Sequence, residues 1–277
     1  MTIPIWVKVL LAIERRFSRT ASAAAIIRDE ILLACLDSSQ KEELNAFLYS
    51  RQQTYKPGGR IFEGGLFEWE KQAIEKSPFP ASGRILLGGA GGGREIIALR
   101  DRGYEVVGFE PSEPLVMAAQ AAITQKPGAS LVRASYADLA KAVSGNGGPL
   151  ASITTTRFDG VILGWGSFSH VLEDAARSEL MDSISRLEPT APVLLSFLPT
   201  DKVEGGTPGP TRRRFRRALA LLGAPSARRS GYGLLGWGAF YRGFTETELT
   251  SLAARHGYTI PYLKMDPYPH AVLVPSR

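Results

Sequence analysis

The sequence is poor in the residues that form disulfides and metal sites. Cys35 is the only cysteine among the 277 residues, so the chain can form no internal disulfide and no zinc cluster of the cysteine type. The three histidines are scattered without the paired spacing of metal ligands, which argues against a metal site. A single free thiol suits a reducing compartment, and we therefore expect a cytoplasmic protein.

Long apolar runs and a strong excess of one charge are also absent. The most apolar terminal stretch is "MTIPIWVKVLLAIERRF", but its uninterrupted run after Lys8 covers only residues 9–13. That run is too short to span a bilayer, and we expect an amphipathic helix packed on the protein body, with a membrane-surface helix as the alternative. The net charge of +6 permits anionic partners without requiring them.

The arrangement of apolar segments changes near residue 80. Residues 1–80 read as helices, one of them with Ser39 and Glu42 spaced as a capping box. From there to residue 277, apolar stretches of strand length alternate with helical stretches. This alternation predicts an α/β fold with a parallel sheet covered on both faces. Residues 199–243 interrupt the alternation as an insertion, and two apolar stretches near the C-terminus predict a closing antiparallel pair.

The most unusual stretch is "RILLGGAGGGRE", residues 84–95, which has five glycines in six positions at the end of a predicted strand. Glycine destabilises the interior of a helix, but a glycine-rich stretch suits a tight turn or a ligand cradle at the start of a helix. A phosphate-binding P-loop would need Lys-Ser or Lys-Thr where Arg94 and Glu95 stand. The dinucleotide fingerprint would need its third glycine at Arg94. The pattern that fits is G-x-G-x-G, formed by Gly89, Gly91 and Gly93.

A second signal is an acid at the end of the next predicted strand, "YEVVGFE". Glu110 follows Gly93 by 17 residues. In doubly wound folds an acid in this position accepts hydrogen bonds from the two ribose hydroxyls of a nucleotide. On these residues alone, an adenosyl ligand and NAD remain equally possible.

Four stretches in a fixed order carry a family resemblance. The glycine loop, "VVGFEPSEPLVMAA", "FDGVILGW" and "GFTETELTSLAARHGY" together resemble the class I S-adenosylmethionine-dependent methyltransferases, over roughly residues 84–198 and 244–275. The resemblance implies a Rossmann-like doubly wound sheet of seven strands with an antiparallel last strand, to which this chain adds N-terminal helices and a substrate-side insertion. It also implies S-adenosylmethionine as cofactor and a methyltransferase core over residues 81–277, beneath a helical cap over residues 1–80.

The resemblance also implies a set of cofactor-binding positions. The glycine loop would pass near the methionine part, Glu110 would hold the ribose, and Pro111 with Ser112 would flank the adenine. The full predicted set is Gly88, Gly89, Ala90, Gly91, Gly93, Glu110, Pro111, Ser112, Ser135, Tyr136 and Gly164.

Two positions depart from the family pattern. Leu87 stands where an acid usually precedes the glycines. Ser135 stands near the place of a second common acid, with Asp138 three residues further on, and Ser135 or Asp138 is the candidate substitute for that acid. These departures leave a non-catalytic adenosyl-ligand binding protein as the alternative function. An NAD-linked enzyme is disfavoured by Arg94.

The loop after the fourth predicted strand, "GWGSFSHVLED", would lie beside the transferred methyl group. His170 is its candidate base because the ordinary pKa of histidine suits proton removal at neutral pH. A capping or packing role is the alternative, since positioning alone can drive methyl transfer.

The predicted acceptor is a small organic molecule methylated on O, N or C. The arginine-rich segment "TRRRFRRALALLG" predicts either a solvated helix face or a clamp for an anionic or carrier-linked acceptor. Nucleic acid is disfavoured because no basic stripe with interleaved aromatics continues elsewhere, and a homodimer remains open. Core packing is the alternative for each aromatic in the predicted substrate set, which is Tyr49, Tyr55, Trp165, Phe168, Arg213, Trp237 and Tyr241.

Overall fold

The computed structural model describes residues 24–200 except residue 26, together with residues 210–221 and 232–276. The helices are 27–35 (α1), Ser38–Ser50 (α2), Arg60–Glu63 (α3), Glu68–Lys76 (α4), Arg94–Arg100 (α5), Glu113–Ile123 (α6), Tyr136–Val143 (α7), Asp174–Leu187 (α8), Pro210–Leu221 (α9) and Glu246–Arg255 (α10). The strands are Arg84–Gly88 (β1), Glu105–Glu110 (β2), Ala129–Arg133 (β3), Gly160–Leu163 (β4), Val193–Ser196 (β5), Leu198–Pro199 (β6), Tyr232–Leu234 (β7), Phe240–Phe244 (β8), Tyr258–Lys264 (β9) and His270–Pro275 (β10). Short 3₁₀ turns occupy Gln53–Tyr55, Ala151–Thr155 and Ser167–His170.

Seven of these strands form one sheet in the order β3-β2-β1-β4-β5-β10-β9. The pairs from β3 to β5 are parallel, whereas the last strand, β10, runs antiparallel to both β5 and β9. The predicted Rossmann-like sheet with an antiparallel last strand is therefore confirmed. The remaining strands β6, β8 and β7 form a small three-stranded sheet beside it.

Both faces of the large sheet are buried because side chains alternate between them along each strand. In β1, Ile85 and Leu87 belong to a core that includes apolar residues of α4, α5 and α6. Leu86 points to the opposite face, where the core includes apolar residues of α7, α8 and α10. The continuous apolar run in β1 thus follows from burial on two sides, and α4, from the N-terminal segment, shares one of these cores.

The predicted capping box at Ser39 and Glu42 is wrong. The cap of α2 is Asp37, whose carboxylate accepts a hydrogen bond from Gln40 N at 2.8 Å, while the Gln40 side chain accepts one from Asp37 N at 3.0 Å. An aspartate in extended conformation just ahead of the helix caps it earlier than the predicted serine. Glu42 is consequently free to face away from the helix start.

None of the described helices is long and apolar enough to cross a bilayer. Within the same residues, no group of three or more His, Cys, Asp or Glu side chains is placed to hold a metal ion. The predicted N-terminal amphipathic helix and the side chain of Arg213 lie outside the described residues. The boundary near residue 80, between the helical cap and the methyltransferase core, stays a prediction.

Candidate functional site

A cavity of about 440 Å³ lies at the carboxyl ends of the central strands. Loops at this edge of a doubly wound sheet are where such folds bind ligands, next to the point at which the strand order reverses. The wall is made by the loop after β1, the end of β2, the start of α7, the loop after β4, one face of α2 and the turn between β7 and β8.

The glycine loop is tied to the strands on both sides of β1. Ala90 N donates a hydrogen bond to Phe109 O at 3.1 Å, and Gly164 N donates one to Gly88 O at 2.7 Å. Gly91 is the open point of the loop, since a Cβ placed there would meet no atom within 4 Å. Its φ of +54° is also one that glycine adopts without strain.

The other glycines are required by the protein's own packing. A Cβ on Gly89 would lie 2.5 Å from the Cβ of Ser167, in the loop after β4. A Cβ on Gly92 would lie 1.9 Å from the carbonyl oxygen of Tyr55. The loop's glycines therefore differ in their surroundings: Gly91 faces the open cavity, whereas Gly89 and Gly92 are in close contact with neighbouring segments.

Glu110 ends β2 directly beside this loop. Its carboxylate accepts hydrogen bonds from Gly91 N and from Ser112 N, each at 3.0 Å. Burial raises the pKa of Glu110 to about 7, outweighing the two hydrogen bonds that lower it. The acid predicted from the register with the glycines thus lines the cavity next to Gly91 and Pro111.

The end of β3 supplies the next part of the wall. Ser135 is the cap of α7, where its hydroxyl accepts from Asp138 N at 3.2 Å and donates to the Asp138 carboxylate at 2.8 Å. Both residues named as substitutes for a missing acid are thus bonded to each other. The hydroxyl of Tyr136 lies 2.6 Å from that of Ser167, which links the β3 side of the cavity to the β4 side.

Arg94 is the residue that argues against the P-loop and the dinucleotide fingerprint. Its side chain is buried and forms ion pairs with two carboxylates, an arrangement called here the Arg94 junction. Its guanidinium bonds both carboxylate oxygens of Glu70 at 2.6 Å and one of Glu95 at 2.7 Å. It also donates to the Gly65 carbonyl at 2.6 Å and lies over the ring of Phe67. The junction fastens α4 to the start of α5, below the glycine loop.

His170 lies in the 3₁₀ turn after β4, in the cavity wall. Its Nδ1 is 2.7 Å from Phe240 O and its Nε2 is 2.6 Å from the Tyr49 hydroxyl. A carbonyl only accepts, so Nδ1 carries the proton and Nε2 accepts from Tyr49. Burial lowers the pKa of His170 to about 4, which keeps the ring neutral near pH 7. The candidate base therefore has both nitrogens engaged, and Asn45 fixes the same carbonyl at 2.9 Å.

Aromatic rings form the remaining walls. Tyr49 packs edge-on against Trp237 with ring centres 4.7 Å apart, and its ring centre is 5.6 Å from that of Tyr55. Tyr55 in turn contacts Trp165 at 6.1 Å. These four predicted substrate residues come from three distant parts of the chain, and the structure brings all of them to the cavity.

The structure places other predicted residues elsewhere. Phe168 is fully buried in the core, stacked on Phe244 at 5.1 Å, because the 3₁₀ turn directs it away from the cavity. Tyr241 is buried in β8 beside Gly233 and does not line the cavity. Of the predicted cofactor set, the residues that shape the neighbouring backbone without lining the cavity are Gly88, Gly93, Ser112 and Gly164.

The cavity also contains residues that the sequence did not indicate. They include Glu42, Asn45, Glu95, Glu179 and Tyr268. The spacing of Glu42, Asn45 and Tyr49 places them on one face of a helix, so a helical projection of α2 from Tyr49 is the signal that would have found the first two. Glu179 and Tyr268 depend on tertiary packing.

Comparison with known proteins identifies the fold. No protein-family model and no curated protein matches the chain. Among solved structures, the CcbJ methyltransferase from Streptomyces caelestis matches with a TM-score of 0.55 at 16% identity, over 87% of this chain and 100% of that chain. Magnesium protoporphyrin IX methyltransferase from Synechocystis PCC 6803, with bound S-adenosylmethionine, matches with a TM-score of 0.52 at 16% identity, over 88% and 99% of the two chains.

A third similar structure is the Burkholderia thailandensis 1,6-didemethyltoxoflavin-N1-methyltransferase with bound 1,6-didemethyltoxoflavin and S-adenosylhomocysteine. It has a TM-score of 0.50 at 18% identity, over 93% of this chain and 90% of that chain. The chain thus has the fold of the class I S-adenosylmethionine-dependent methyltransferases.

Proposed function

We propose that this chain, which has the class I methyltransferase fold, transfers a methyl group from S-adenosylmethionine to a small organic acceptor. The observation that carries the proposal is the position of Glu110. Its carboxylate and the open face of Gly91 line the same cavity as the aromatic side chains, so one space offers a nucleoside site and an apolar acceptor site. When bound, S-adenosylmethionine supplies a methyl group on a positively charged sulfur.

The residues present fit that ligand. The space above Gly91 would be filled by any Cβ, which is the property of a cradle for a ligand. Glu110 would accept the ribose hydroxyls, and Pro111 with Tyr136 would bracket the adenine. Gly89 and Ala90 would follow the methionine part, whereas Gly88, Gly93 and Gly164 would hold the loop in shape.

The ligand's ammonium group needs a partner other than Leu87. That side chain is fully buried in β1 and cannot accept a hydrogen bond. Glu95, in the first turn of α5, is the cavity carboxylate nearest in sequence to the glycine loop. Arg94 and Trp165 N already orient this carboxylate, at 2.7 and 3.3 Å. We assign the ammonium to Glu95.

The chain's contribution to methyl transfer is chiefly alignment. Enclosure by Tyr55, Trp165 and Trp237 would exclude water and hold the acceptor against the methyl carbon. Where an acceptor must release a proton, the route is the Tyr49 hydroxyl and then Nε2 of His170, which is the role we propose for His170. No metal takes part in this scheme.

Calorimetric titration of the full chain with S-adenosylmethionine, S-adenosylhomocysteine and NAD tests the proposal. The two adenosyl ligands should bind and NAD should not. Gly91→Val should abolish the binding by filling the cradle, while Gly145→Val, in an open turn outside the cavity, should leave it unchanged. Binding of NAD alone would sink the proposal, and adenosyl binding without turnover on any acceptor would assign a non-catalytic binding protein instead.

A further inference from the structure

We infer that the acceptor is an aromatic molecule with an amine on its side chain, and that the amine nitrogen receives the methyl group. The inference rests on the proposed methyl transfer and narrows its acceptor from O, N or C to one class. Three independent features of the cavity support it: the bonding of His170, the aromatic walls and the distribution of charge.

The first feature is that His170, the candidate base, has no ring nitrogen left to accept a proton directly from the acceptor. Both ring nitrogens of His170 are in hydrogen bonds, and Nε2 uses its lone pair to accept from Tyr49. A hydroxyl acceptor must lose a proton as it is methylated, which calls for a base. An amine that binds as its ammonium form first releases one proton to water, which it does far more readily than an alcohol does. The lone pair left on nitrogen then forms the nitrogen–carbon bond, the electrons of the carbon–sulfur bond stay on sulfur, and a second proton leaves the cationic nitrogen for water.

The second feature is the set of π faces around the acceptor space. Tyr49, Trp237, Tyr55 and Trp165 form a chain of ring contacts with centres 4.7 to 6.1 Å apart. Such rings hold a flat aromatic ligand by stacking or edge contacts. They also attract positive charge, which an amine nitrogen carries once it is methylated. A wall of this kind therefore stabilises the product of nitrogen methylation.

The third feature is the sign of the charges. The exposed carboxylates Glu42, on α2, and Glu179, on α8, stand on the cavity wall. Among the described lining residues the one guanidinium is Arg94, and it is already bonded to Glu70 and Glu95. Partial burial, with Glu173 nearby, raises the pKa of Glu42, as expected of a carboxylate that gains from an added cation. An ammonium finds partners here, whereas a carboxylate or phosphate meets repulsion.

A matched pair of probes tests the inference. Tryptamine and indole-3-propionate share one ring and differ in the charge of the side chain. Each is titrated by calorimetry into the full chain saturated with S-adenosylhomocysteine, which cannot donate a methyl group. Tryptamine should bind about tenfold more tightly. Glu42→Gln and Glu179→Gln should each reduce that preference about two- to fivefold, as expected for exposed ion pairs. Glu43→Gln, on an exposed side of α2 outside the cavity, is the matched control and should change nothing.

Equal or tighter binding of indole-3-propionate, or binding of neither probe, would overturn the inference. Binding of indole-3-propionate that is lost in Arg213→Ala would assign an anionic acceptor held by the arginine-rich helix. With S-adenosylmethionine present, faster transfer to tryptophol, the hydroxyl analogue, than to tryptamine would also overturn it. Failure of S-adenosylhomocysteine to bind is a separate result, which removes the proposed function itself.

Discussion

If Glu110 holds the ribose as proposed, ligand binding should depend on pH through this one buried carboxyl group. Only the ionised form can accept both ribose hydroxyls, and burial raises its pKa to about 7. Affinity for S-adenosylhomocysteine should therefore tighten about tenfold between about pH 6 and about pH 8, as the carboxyl group loses its proton. Titrations of the wild-type chain at the two pH values measure this change directly.

The variants of Glu110 separate charge from shape. Glu110→Gln should bind more weakly and lose most of the pH dependence, and Glu110→Ala should cost about 1–3 kcal/mol of binding free energy at high pH. Glu105→Gln, at the exposed start of the same strand, is the control and should behave as wild type. Equal pH dependence in wild type and Glu110→Gln would show that another group is responsible.

Residues with a local signature are the ones that sequence analysis can find. Glu110 is identified by its strand end and its distance from the glycines, both of which are local properties. Trp165 and Phe168 belong to the same short loop, yet one lines the cavity and the other is buried beside Phe244. Residue type does not reveal which way a ring points in a tight turn, because the turn geometry decides it. Glu179 depends on the packing of α8 and has no local signature at all.

At the scale of elements, the glycine loop also contacts the N-terminal segment directly. A Cβ on Gly92 would collide with the Tyr55 carbonyl, whereas one on Gly91 would meet only open space. Gly92→Ala should thus displace the Gln53–Tyr55 turn and lower the unfolding free energy strongly. Gly91→Ala should cost only the strain of its backbone, about 1–2 kcal/mol. Chemical denaturation of both variants checks this order, and equal losses would contradict the contact with Tyr55.

The junction at Arg94 is the second link between the N-terminal helices and the sheet. Arg94→Met should destabilise the protein by about 3–5 kcal/mol, since it leaves Glu70 buried without its partner. The double variant Glu70→Leu with Arg94→Met should recover part of the loss, because one of the two carboxylates left without the guanidinium is then removed and only Glu95 remains. Urea unfolding of the two variants measures the difference. A double variant less stable than Arg94→Met would show that the pair itself is needed.

The elements of the sheet have a clear signature in the sequence, whereas their attachments to the N-terminal helices have none. Alternation of apolar runs and helices predicted a parallel sheet covered on both faces, since burial on two faces leaves a strong pattern, and the family resemblance supplied the count of seven strands. The start of α2 was missed because Asp37 competes with Ser39 for the capping role, and both are good caps. The Arg94 junction was not predicted because one of its two carboxylate partners, Glu70, lies 24 residues away on another helix. From the sequence alone, Arg94 argued only against the P-loop and the dinucleotide fingerprint.

On the scale of the whole molecule, the cavity joins three separate parts of the chain. The N-terminal helix α2 brings Tyr49 and Asn45, the sheet edge brings His170, and the hairpin of β7 and β8 brings Phe240 and Trp237. Asn45 bonds the backbone of Phe240 directly, and the ring of His170 bonds both Tyr49 and Phe240, so His170 touches all three parts. A change in the charge of that ring should therefore affect the stability of the entire fold.

The pH dependence of unfolding tests this role of His170. Its pKa is about 4 when folded and near 6.5 when unfolded, so the unfolded chain binds the additional proton between these values. The stability due to the neutral ring is present above about pH 6.5 and is lost as the pH falls through that window, by up to about 3 kcal/mol. His170→Asn lacks the titrating group. Between about pH 7 and about pH 4, its unfolding free energy in urea should therefore fall by up to about 3 kcal/mol less than that of wild type. Tyr49→Phe keeps the ring and should keep the wild-type slope. If His170→Asn and wild type lose stability in parallel, other groups govern the acid limit and the ring only packs.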